Sequence, residues 1–241
     1  MSIINLTGGL DSTVLLYWAL ERDYPISAVF MNYGFPPNSA ELKIVNSLAE
    51  KFQISHRTID LTSLIHSLDL PPFNSIQYSL KHQALVEFLL SLSTFPGEDE
   101  LLVGSIKRED TQSKDVHHIL ESLNARVSFP FSNMEKSDVV VLGTKLGVDF
   151  RETWSCLISG KIHCGFCEAC LARKRAFMNA KVVDPTDYYY PHLVSREEKK
   201  DFLRKFLMPF AKYTGEYPDS IIENYNSIII ELNRRFGGVK P

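Results

Sequence analysis

Residues 7–13, Thr-Gly-Gly-Leu-Asp-Ser-Thr, combine a flexible turn with hydroxyl and carboxylate side chains between two apolar stretches. Gly8 and Gly9 fall where a buried strand turns into a helix, and glycine lets the backbone approach a ligand closely. A helix that begins near Ser12 directs its free N–H groups and positive dipole end at the same point. We therefore expect the backbone of this loop, with the hydroxyls of Ser12 and Thr13, to bind an anion such as phosphate.

A simpler interpretation of the loop stays open at this point. A Gly-Gly turn before a helix is common, and Asp11 followed by Ser12 is an ordinary helix-capping pair. A carboxylate in a phosphate site also repels the ligand, unless a metal ion or structural hydrogen bonds occupy it. The Gly-Lys-Ser/Thr of a Walker loop is absent. The phosphate hypothesis therefore depends on residues elsewhere in the chain.

The cysteines supply a second candidate site. All four lie in one segment, at Cys156, Cys164, Cys167 and Cys170. Two overlapping Cys-x2-Cys spacings with one cysteine upstream form the ligand set of a tetrahedral zinc site. Two disulfides so close in sequence are not expected in a cytoplasmic protein. His163 is an alternative ligand, but four thiolates complete the site, so we expect the zinc ion to be structural.

The length, amino-acid composition and charge of the chain limit the classes of protein to which it can belong. The chain has 241 residues, of which 44% are hydrophobic, and its formal net charge is −3. That length can bury a sizeable core, and the near-neutral charge gives no electrostatic reason to expect direct binding of nucleic acid. The sequence shows neither a membrane-length apolar run nor a signal-peptide pattern. We therefore expect a cytoplasmic protein with no membrane partner.

Strands alternate with helices along most of the chain. The patterns predict strands at 2–7, 26–34, 55–62 and 100–105. They predict helices at 12–21, 39–52, 80–93 and 137–147. This alternation predicts a parallel sheet covered by helices on both faces, an α/β fold. We expect three parts: a nucleotide-binding α/β domain at 1–150, a zinc-binding segment at 151–185 that reads as a loop, and a helical tail at 186–241.

The two motifs together resemble a known family. The loop resembles the PP-loop of ATP pyrophosphatases, normally Ser-Gly-Gly-x-Asp-Ser. The cysteine segment resembles the zinc segment of the 7-cyano-7-deazaguanine synthase (QueC) family, with Lys136 at the lysine of the preceding helix and Tyr33, Gly34 and Glu41 similar to its second-strand motif. The matching residues of the segment are Thr153, Trp154, Ser155, Cys156, Cys164, Gly165, Cys167, Cys170, Arg173 and Phe177. The resemblance covers about residues 1–185.

This resemblance implies a fold, a reaction and a set of site residues. The fold would be the Rossmann-like, adenine nucleotide alpha hydrolase-like domain of PP-loop enzymes. The enzyme would use ATP and Mg²⁺ to adenylate 7-carboxy-7-deazaguanine, and ammonia would convert the adenylate to the amide and then to the nitrile. Asp11, Ser12 and Lys136 would be catalytic, although a solvated lysine is the commoner fate of a residue such as Lys136. The nucleotide would be bound by Thr7, Gly8, Gly9, Leu10, Asp11, Ser12 and Thr13.

The chain departs from the family pattern in the segments that resemble its substrate-facing loops. The family's Tyr-Gly-Gln-Arg-His is Tyr-Gly-Phe-Pro-Pro here at 33–37, its Pro-Gly-Arg-Asn is missing near 79–83, and Leu157 replaces a tyrosine. Candidate substrate residues are Tyr33, Lys81, Gly104, Lys107, Glu109 and Asp115. These departures favour a diverged paralogue whose substrate pocket has been rewritten.

Three functions follow from these observations. The first is the ammonia-dependent reaction above. The second is a ligase of the kind found in antiphage defence operons, which would join the activated deazaguanine to an amine of a protein partner. The third is a nucleotide-binding module without turnover. The tyrosines at 188–190 would pack the tail against the core or against a second subunit, and we expect a homodimer.

Overall fold

The computed structural model describes residues 2–34, 37–67, 80–94, 100–107 and 114–192, together with residues 195, 197–199, 201, 202 and 205. At 65–67, 80–85 and 114–117 it describes the backbone alone. The predicted residue Glu109 and most of the predicted helical tail therefore lie outside the described residues. The three-part domain division stays a prediction.

Within the described residues, five parallel strands form one sheet in the order β3-β2-β1-β4-β5. The strands are β1 (Ser2–Asn5), β2 (Ile26–Asn32), β3 (Ser55–Asp60), β4 (Glu100–Leu102) and β5 (Val127–Ser128). From β1 the chain adds β2 and β3 on one side of the sheet and then β4 and β5 on the other, so the strand order reverses between β1 and β4. In an open parallel sheet, ligands bind outside the carboxyl ends of the strands at such a reversal. The topology therefore places the loop after β1 at the expected position of a binding site.

Seven α-helices accompany the sheet in the described part of the chain. They are α1 (Leu10–Leu20), α2 (Asn38–Phe52), α3 (Thr62–Ser67), α4 (Leu80–Thr94), α5 (Lys114–Ser122), α6 (Lys136–Lys145) and α7 (Glu168–Ala180). A 3₁₀ turn at Phe150–Glu152 leads from α6 into the cysteine segment. None of these helices is long and apolar enough to cross a membrane.

The predicted α/β fold with a parallel sheet is confirmed. The eight predicted elements are present, and six of the helix and strand ends differ by more than one residue. Strand β1 ends at Asn5 rather than at residue 7, and α1 begins at Leu10 rather than at Ser12, because Gly9 is the N-cap and Thr13 already bonds back to Gly9.

One structural prediction was wrong. The cysteine segment is a loop only as far as Cys167, and α7 begins at Glu168. The Cys167 sulfur caps this helix by accepting a hydrogen bond from the backbone N–H of Cys170. The regular cysteine spacing hides the helical period, because the last two cysteines, Cys167 and Cys170, lie at the N-cap and in the first turn of the helix.

Alternate residues of β1 point to opposite faces of the sheet. Ile4 packs in a core with Val14 of α1, Val139 of α6 and Phe177 of α7. Ile3 packs in a second core on the other face with residues of α4 and α5, among them Phe88 and Leu120. Residues on α7 therefore complete the main core, and the cysteine segment is fixed to the sheet through this helix.

Helices α1 and α6 approach closely at Gly143. A Cβ atom at this position would lie 2.7 Å from Cγ2 of Val14 and 2.8 Å from Cζ of Phe150. Both neighbours are buried core side chains. The close packing of these helices therefore requires a residue without a side chain at this point.

We predict that Gly143→Val lowers the free energy of unfolding by about 1–3 kcal/mol, because overpacking a filled core forces its neighbours apart. Urea denaturation monitored by circular dichroism measures this change. Thr144→Val is the matched control, since it places valine at the next, exposed position of α6 and should change stability by no more than about 0.5 kcal/mol. Equal stability of the two variants would contradict the packing argument.

Candidate functional site

The loop after β1 adopts a conformation that requires glycine at position 8. Gly8 has φ +70°, and a Cβ atom there would lie 2.8 Å from the carbonyl oxygen of Glu41. Gly9 follows as the N-cap of α1, and no side chain caps this helix end. The first backbone N–H groups of a helix have no partner within the helix. The loop therefore presents N–H donors and a positive helix end toward the carboxyl edge of the sheet, as an anion site requires.

The Ser12 hydroxyl holds this loop together. Its Oγ lies 2.9 Å from Oγ1 of Thr7, accepts a 3.2 Å hydrogen bond from the Thr7 backbone N–H, and donates to the Gly9 carbonyl at 3.3 Å. The neighbouring Thr13 side chain is fully buried, and its backbone N–H bonds to Gly9 within the first turn of α1. The hydroxyl groups at the loop therefore belong to Thr7 and Ser12, whereas the side chain of Thr13 is buried in the protein interior.

Asp11 and Lys136 form an ion pair across the loop. The Lys136 ammonium group, on the first residue of α6, lies 2.5 Å from Oδ2 of Asp11, and both side chains are largely buried. The other carboxylate oxygen of Asp11 is buried and has no hydrogen-bond partner among the described residues. The pairing brings together two of the three predicted catalytic residues. It also leaves one carboxylate oxygen available for a cation or a donor.

A cleft of about 200 Å³ lies beside this ion pair, at the reversal between β1 and β4. Gly104, after β4, comes so close to α1 that a Cβ atom there would lie 3.1 Å from the Asp11 backbone. The residues that line the cleft are Asn5, Thr7, Gly9, Asp11, Ser12, Glu87, Phe88, Val103, Gly104 and Ser105. The predicted loop and the predicted residue Gly104 thus line one cavity.

The sequence analysis missed Glu87, which lies in this cleft. Its carboxylate accepts a hydrogen bond from the Tyr33 hydroxyl and a 3.1 Å hydrogen bond from Nδ2 of Asn5. One feature of the sequence could have identified Glu87, because it is the charged residue of the otherwise uncharged stretch 84–93. The predicted substrate residue Tyr33 therefore reaches the site through Glu87.

The other predicted substrate residues are placed differently. The exposed Lys107 forms a 3.1 Å ion pair with Glu135, the residue before α6. Lys81 lies on α4 and Asp115 on α5, and the side chains of both are outside the described atoms. The assignment of these residues to a substrate stays a prediction.

The four cysteines meet in one buried cluster. Their sulfur atoms all lie within 4.8 Å of one another, and the sulfurs of Cys164 and Cys170 are 3.9 Å apart. Zn–S bonds of about 2.3 Å place the sulfurs of a tetrahedral site about 3.8 Å apart. Burial opposes ionisation of Cys156, but hydrogen bonds from the other three thiols lower the pKa of its thiol below the usual value. The donor set therefore fits a metal ion that prefers thiolates.

His163 lies beside this cluster as a neutral side chain rather than as a member of it. Its Nε2 accepts a 3.1 Å hydrogen bond from the Ser155 backbone N–H, and its ring packs 4.2 Å from that of Trp154. Burial, assisted by the charge of Arg173, lowers the pKa of His163 to about 4. The alternative of a histidine ligand is therefore not needed to explain this residue.

The cysteine segment is attached directly to the loop after β1. The backbone N–H of Trp154 donates a 2.8 Å hydrogen bond to the Gly8 carbonyl, in a short parallel bridge between Gly9 and Trp154. The indole N–H of Trp154 in turn donates to the Cys156 carbonyl at 2.9 Å. Two hydrogen bonds made by Trp154 therefore connect the four-cysteine cluster to the loop after β1.

Arg173 holds in place the segment of the chain that carries Trp154. This fully buried guanidinium donates to the Phe150 carbonyl at 2.8 Å and to Thr153 Oγ1 at 2.6 Å, and it pairs with Asp184 at 3.2 Å. A buried guanidinium is costly unless it is paired and hydrogen-bonded. The match of Arg173 to the family motif therefore has a structural explanation.

Glu41 adds a further carboxyl group beneath the loop. Burial raises the pKa of Glu41 to about 7, against the effect of a 2.7 Å hydrogen bond from the Asn38 amide. The charges of Glu87 and Cys156 raise this pKa further. Glu41 is thus electrostatically linked both to Glu87 in the cleft and to Cys156 in the cysteine cluster.

Comparison with known proteins identifies relatives over most of the chain. The family model described as "Queuosine biosynthesis protein QueC" matches residues 1–70 and 92–181. The chain is 29% identical over 198 residues to 7-cyano-7-deazaguanine synthase 1 of Sulfurisphaera tokodaii, with 78% of this chain and 97% of the relative covered. It is 31% identical over 214 residues to the 7-cyano-7-deazaguanine synthase of Desulfotalea psychrophila, with 78% and 98% covered.

We predict that Cys167→Ser removes the bound metal and lowers thermal stability, because metal binding contributes directly to the free energy of folding. Elemental analysis of the purified protein and its melting temperature measure the two effects. Lys161→Ala, an exposed change in the same segment, is the control and should keep both at the wild-type value. A Cys167→Ser protein that retains its metal and melts like the wild type would refute the assignment of this site.

Proposed function

Since the chain belongs to the QueC family, we propose that it is an ATP-dependent ligase that forms a C–N bond on 7-carboxy-7-deazaguanine. The product would be 7-cyano-7-deazaguanine, the compound named in its curated relatives. The observation that supports the proposal most strongly is the cleft between β1 and β4. A helix N-terminus, the Asp11–Lys136 pair and the polar side chains of Asn5 and Glu87 lie together there.

The first step would be adenylation of the substrate carboxylate. A carboxylate oxygen attacks the α-phosphorus of ATP, the bond to the bridging β-phosphate oxygen breaks, and pyrophosphate leaves. Negative charge grows on the departing oxygens, so preorganised donors accelerate this step. The N–H groups of Gly9 to Ser12 would bind the leaving pyrophosphate. Lys136 would stabilise its charge, with Asp11 holding the ammonium group in position.

The second step would be attack of ammonia on the acyl carbon, with release of AMP, to give the amide. Conversion of the amide to the nitrile needs a second activation. The amide oxygen attacks the α-phosphorus of a second ATP and pyrophosphate leaves. Loss of AMP, which carries the amide oxygen, and of both N–H protons then forms the carbon–nitrogen triple bond. The complete reaction therefore consumes two molecules of ATP for each nitrile.

Two metal ions belong to this proposal. The four-cysteine cluster would hold Zn²⁺ in a structural role, because four protein thiolates leave no open position for a substrate. The unpartnered oxygen of Asp11 is a hard carboxylate ligand of the kind that Mg²⁺ prefers. Mg²⁺ would supply charge neutralisation of the phosphates when bound, while the loop and Lys136 orient them.

The test is to incubate purified protein with ATP, Mg²⁺, 7-carboxy-7-deazaguanine and ammonium, and to follow pyrophosphate release and product mass. Formation of the amide and then of the nitrile, with two pyrophosphates per nitrile, is the expected result. Acid-dependent pyrophosphate release without the nitrile would contradict ammonia as the amine and would favour the protein-acceptor ligase, which a mass increase on a partner would identify. Nucleotide binding without pyrophosphate release would refute catalysis and favour a binding module.

We predict that Asp11→Asn lowers kcat for pyrophosphate release by about 10²–10³, the usual effect of removing one preorganised charge-stabilising group. The loss of the carboxylate frees Lys136 from its partner and removes the ligand for Mg²⁺. Asp23→Asn is the matched control, because Asp23 lies in an exposed turn with φ +55°, a conformation that asparagine tolerates. Near-wild-type turnover of Asp11→Asn, with fold and metal content intact, would refute the PP-loop assignment.

A further inference from the structure

The chain after α7 runs along the cysteine segment. The backbone N–H of Tyr189 donates a 2.8 Å hydrogen bond to the His163 carbonyl. The N–H of Tyr190 donates a 3.2 Å hydrogen bond to the Cys164 carbonyl. The match to the family model ends at residue 181, so these contacts come from a part of the chain that the match does not include. The cover segment consists of the described residues of this part from 188 onward: 188–192, 195, 197–199, 201, 202 and 205.

Two aromatic side chains of the cover segment pack against the cysteine cluster. Phe202 is 1% exposed and lies in the same apolar cluster as the four cysteines. Its ring centroid is 5.4 Å from that of Phe166, which stands between Cys164 and Cys167 in sequence. The Tyr190 ring centroid is 6.1 Å from that of Phe166. The cysteines have no exposed surface, and the rings of the cover segment contribute to this burial.

Lys174 of α7 attaches the beginning of the cover segment to the cysteine loop. Its ammonium group donates to the Gly165 carbonyl at 2.9 Å and to the Tyr190 carbonyl at 3.2 Å. The same group lies 4.3 Å from the centre of the Tyr188 ring. A Cβ atom at Gly165 would overlap the Tyr190 carbonyl oxygen. The backbone of the cover segment is therefore in direct contact with the backbone of the loop that carries the cysteines.

A capping box determines where Phe202 lies. The Glu198 carboxylate accepts hydrogen bonds from the backbone N–H and the hydroxyl of Ser195, at 2.8 and 2.7 Å, and the Glu198 N–H donates to that hydroxyl at 3.3 Å. Such reciprocal bonds start a helix, and residues 197–199, 201 and 202 have helical backbone. The Tyr190 hydroxyl donates to the Glu198 carbonyl at 3.2 Å. Phe202 follows Glu198 by about one helical turn, so the capped turn positions its ring.

Loss of metal from a four-thiolate site requires access to sulfur. Four protein ligands complete the tetrahedral coordination of zinc and leave no open position for a competing ligand. A thiolate must therefore dissociate and meet a proton, a chelator or an oxidant before the metal leaves. Proteins open locally at a lower free-energy cost than that of global unfolding. The rate of metal loss is thus set by the segment that has to open over the cluster.

We propose that the cover segment controls the exchange of the bound metal, because its rings must separate from the cluster before a competing ligand reaches a thiolate. The opening is local and leaves the parallel sheet folded. It gives this chain a metal site that exchanges more slowly than the four cysteines alone would allow. The inference rests on the metal site of the proposed function and is independent of the proposed reaction.

The test measures metal release from the full-length, metal-loaded protein into excess EDTA without denaturant. Samples are desalted at intervals, and elemental analysis gives the metal that remains bound. Phe202→Leu weakens the contact between the cover segment and the cluster. Phe131→Leu is the matched control, because it makes the same change at another phenylalanine that is 1% exposed, in the main core. Urea unfolding monitored by circular dichroism gives the global stability of each protein.

We expect Phe202→Leu to raise the rate of metal release by about tenfold, because the loss of buried contacts favours the open state of the cover segment. Phe131→Leu should release its metal within about twofold of the wild-type rate, although it also lowers global stability. The two variants therefore separate local opening over the cluster from unfolding of the domain.

A second pair of variants covers the case in which Phe202→Leu fails to fold. Ser195→Ala removes the cap at an exposed position and should raise the release rate by about 3–10-fold, because the capped turn frays more readily. Ser122→Ala, at an exposed serine of α5, is its control and should release metal at the wild-type rate.

Equal acceleration by Phe202→Leu and Phe131→Leu would overturn the inference, because the metal would then leave only when the whole domain unfolds. Unchanged release from folded Phe202→Leu, or from Ser195→Ala, would also overturn it, because the cluster would exchange without opening of the cover segment. A wild type that binds no metal would overturn the metal site of the proposed function as well. If the metal-loaded wild type releases no pyrophosphate, the proposed reaction is refuted, while the expected release rates still confirm this inference.

Discussion

The hydrogen bond from the Trp154 N–H to the Gly8 carbonyl is the contact on which the arrangement of the candidate site depends. Gly8 has the Glu41 backbone on one side, so close that a Cβ atom would lie 2.8 Å from the Glu41 carbonyl oxygen, and its carbonyl bonds to Trp154 at 2.8 Å. The loop therefore cannot change its path without moving α2 or the cysteine segment. An anion site made of backbone N–H groups needs such fixed geometry, because preorganised donors do not have to reorient as charge develops.

Two consecutive cations on α7 hold the chain on either side of the cysteine cluster. Arg173 binds the Phe150 carbonyl and Thr153 before the tryptophan, whereas Lys174 donates to the carbonyls of Gly165 and Tyr190 on the other side of the cysteine cluster. Both use backbone carbonyls that have no partner in a helix or strand. A cluster of four cysteines could hold its own loop together, whereas the Trp154–Gly8 hydrogen bond and the core residues of α7 connect that loop to the rest of the domain. The cysteine segment therefore supports the loop after β1.

The sequence predicts those parts of the molecule whose signal is local. Strands β1 and β2 are short, mostly apolar runs, α2 has apolar residues at helical spacing, and the cysteine spacing predicts the cluster directly. Helix α7 was missed because its first turn contains Cys167 and Cys170 at ligand spacing, which conceals the helical pattern. Glu87 was missed for a different reason. Whether an acid in an apolar helix faces solvent or a cleft depends on how the helix rotates against the sheet, and contacts such as that with Asn5 are 82 residues apart in sequence.

The distribution of charge around the loop after β1 lowers the repulsion that three nearby carboxyl groups would exert on an anion. The Asp11 carboxylate is paired with Lys136, and burial raises the pKa of Glu41 to about 7, which reduces its charge near neutral pH. Glu87, which also lines the cleft, accepts hydrogen bonds from Nδ2 of Asn5 and from the Tyr33 hydroxyl. Because Asp11 is paired and Glu41 is only partly ionised near neutral pH, the positive end of α1 can still attract an anion at this site.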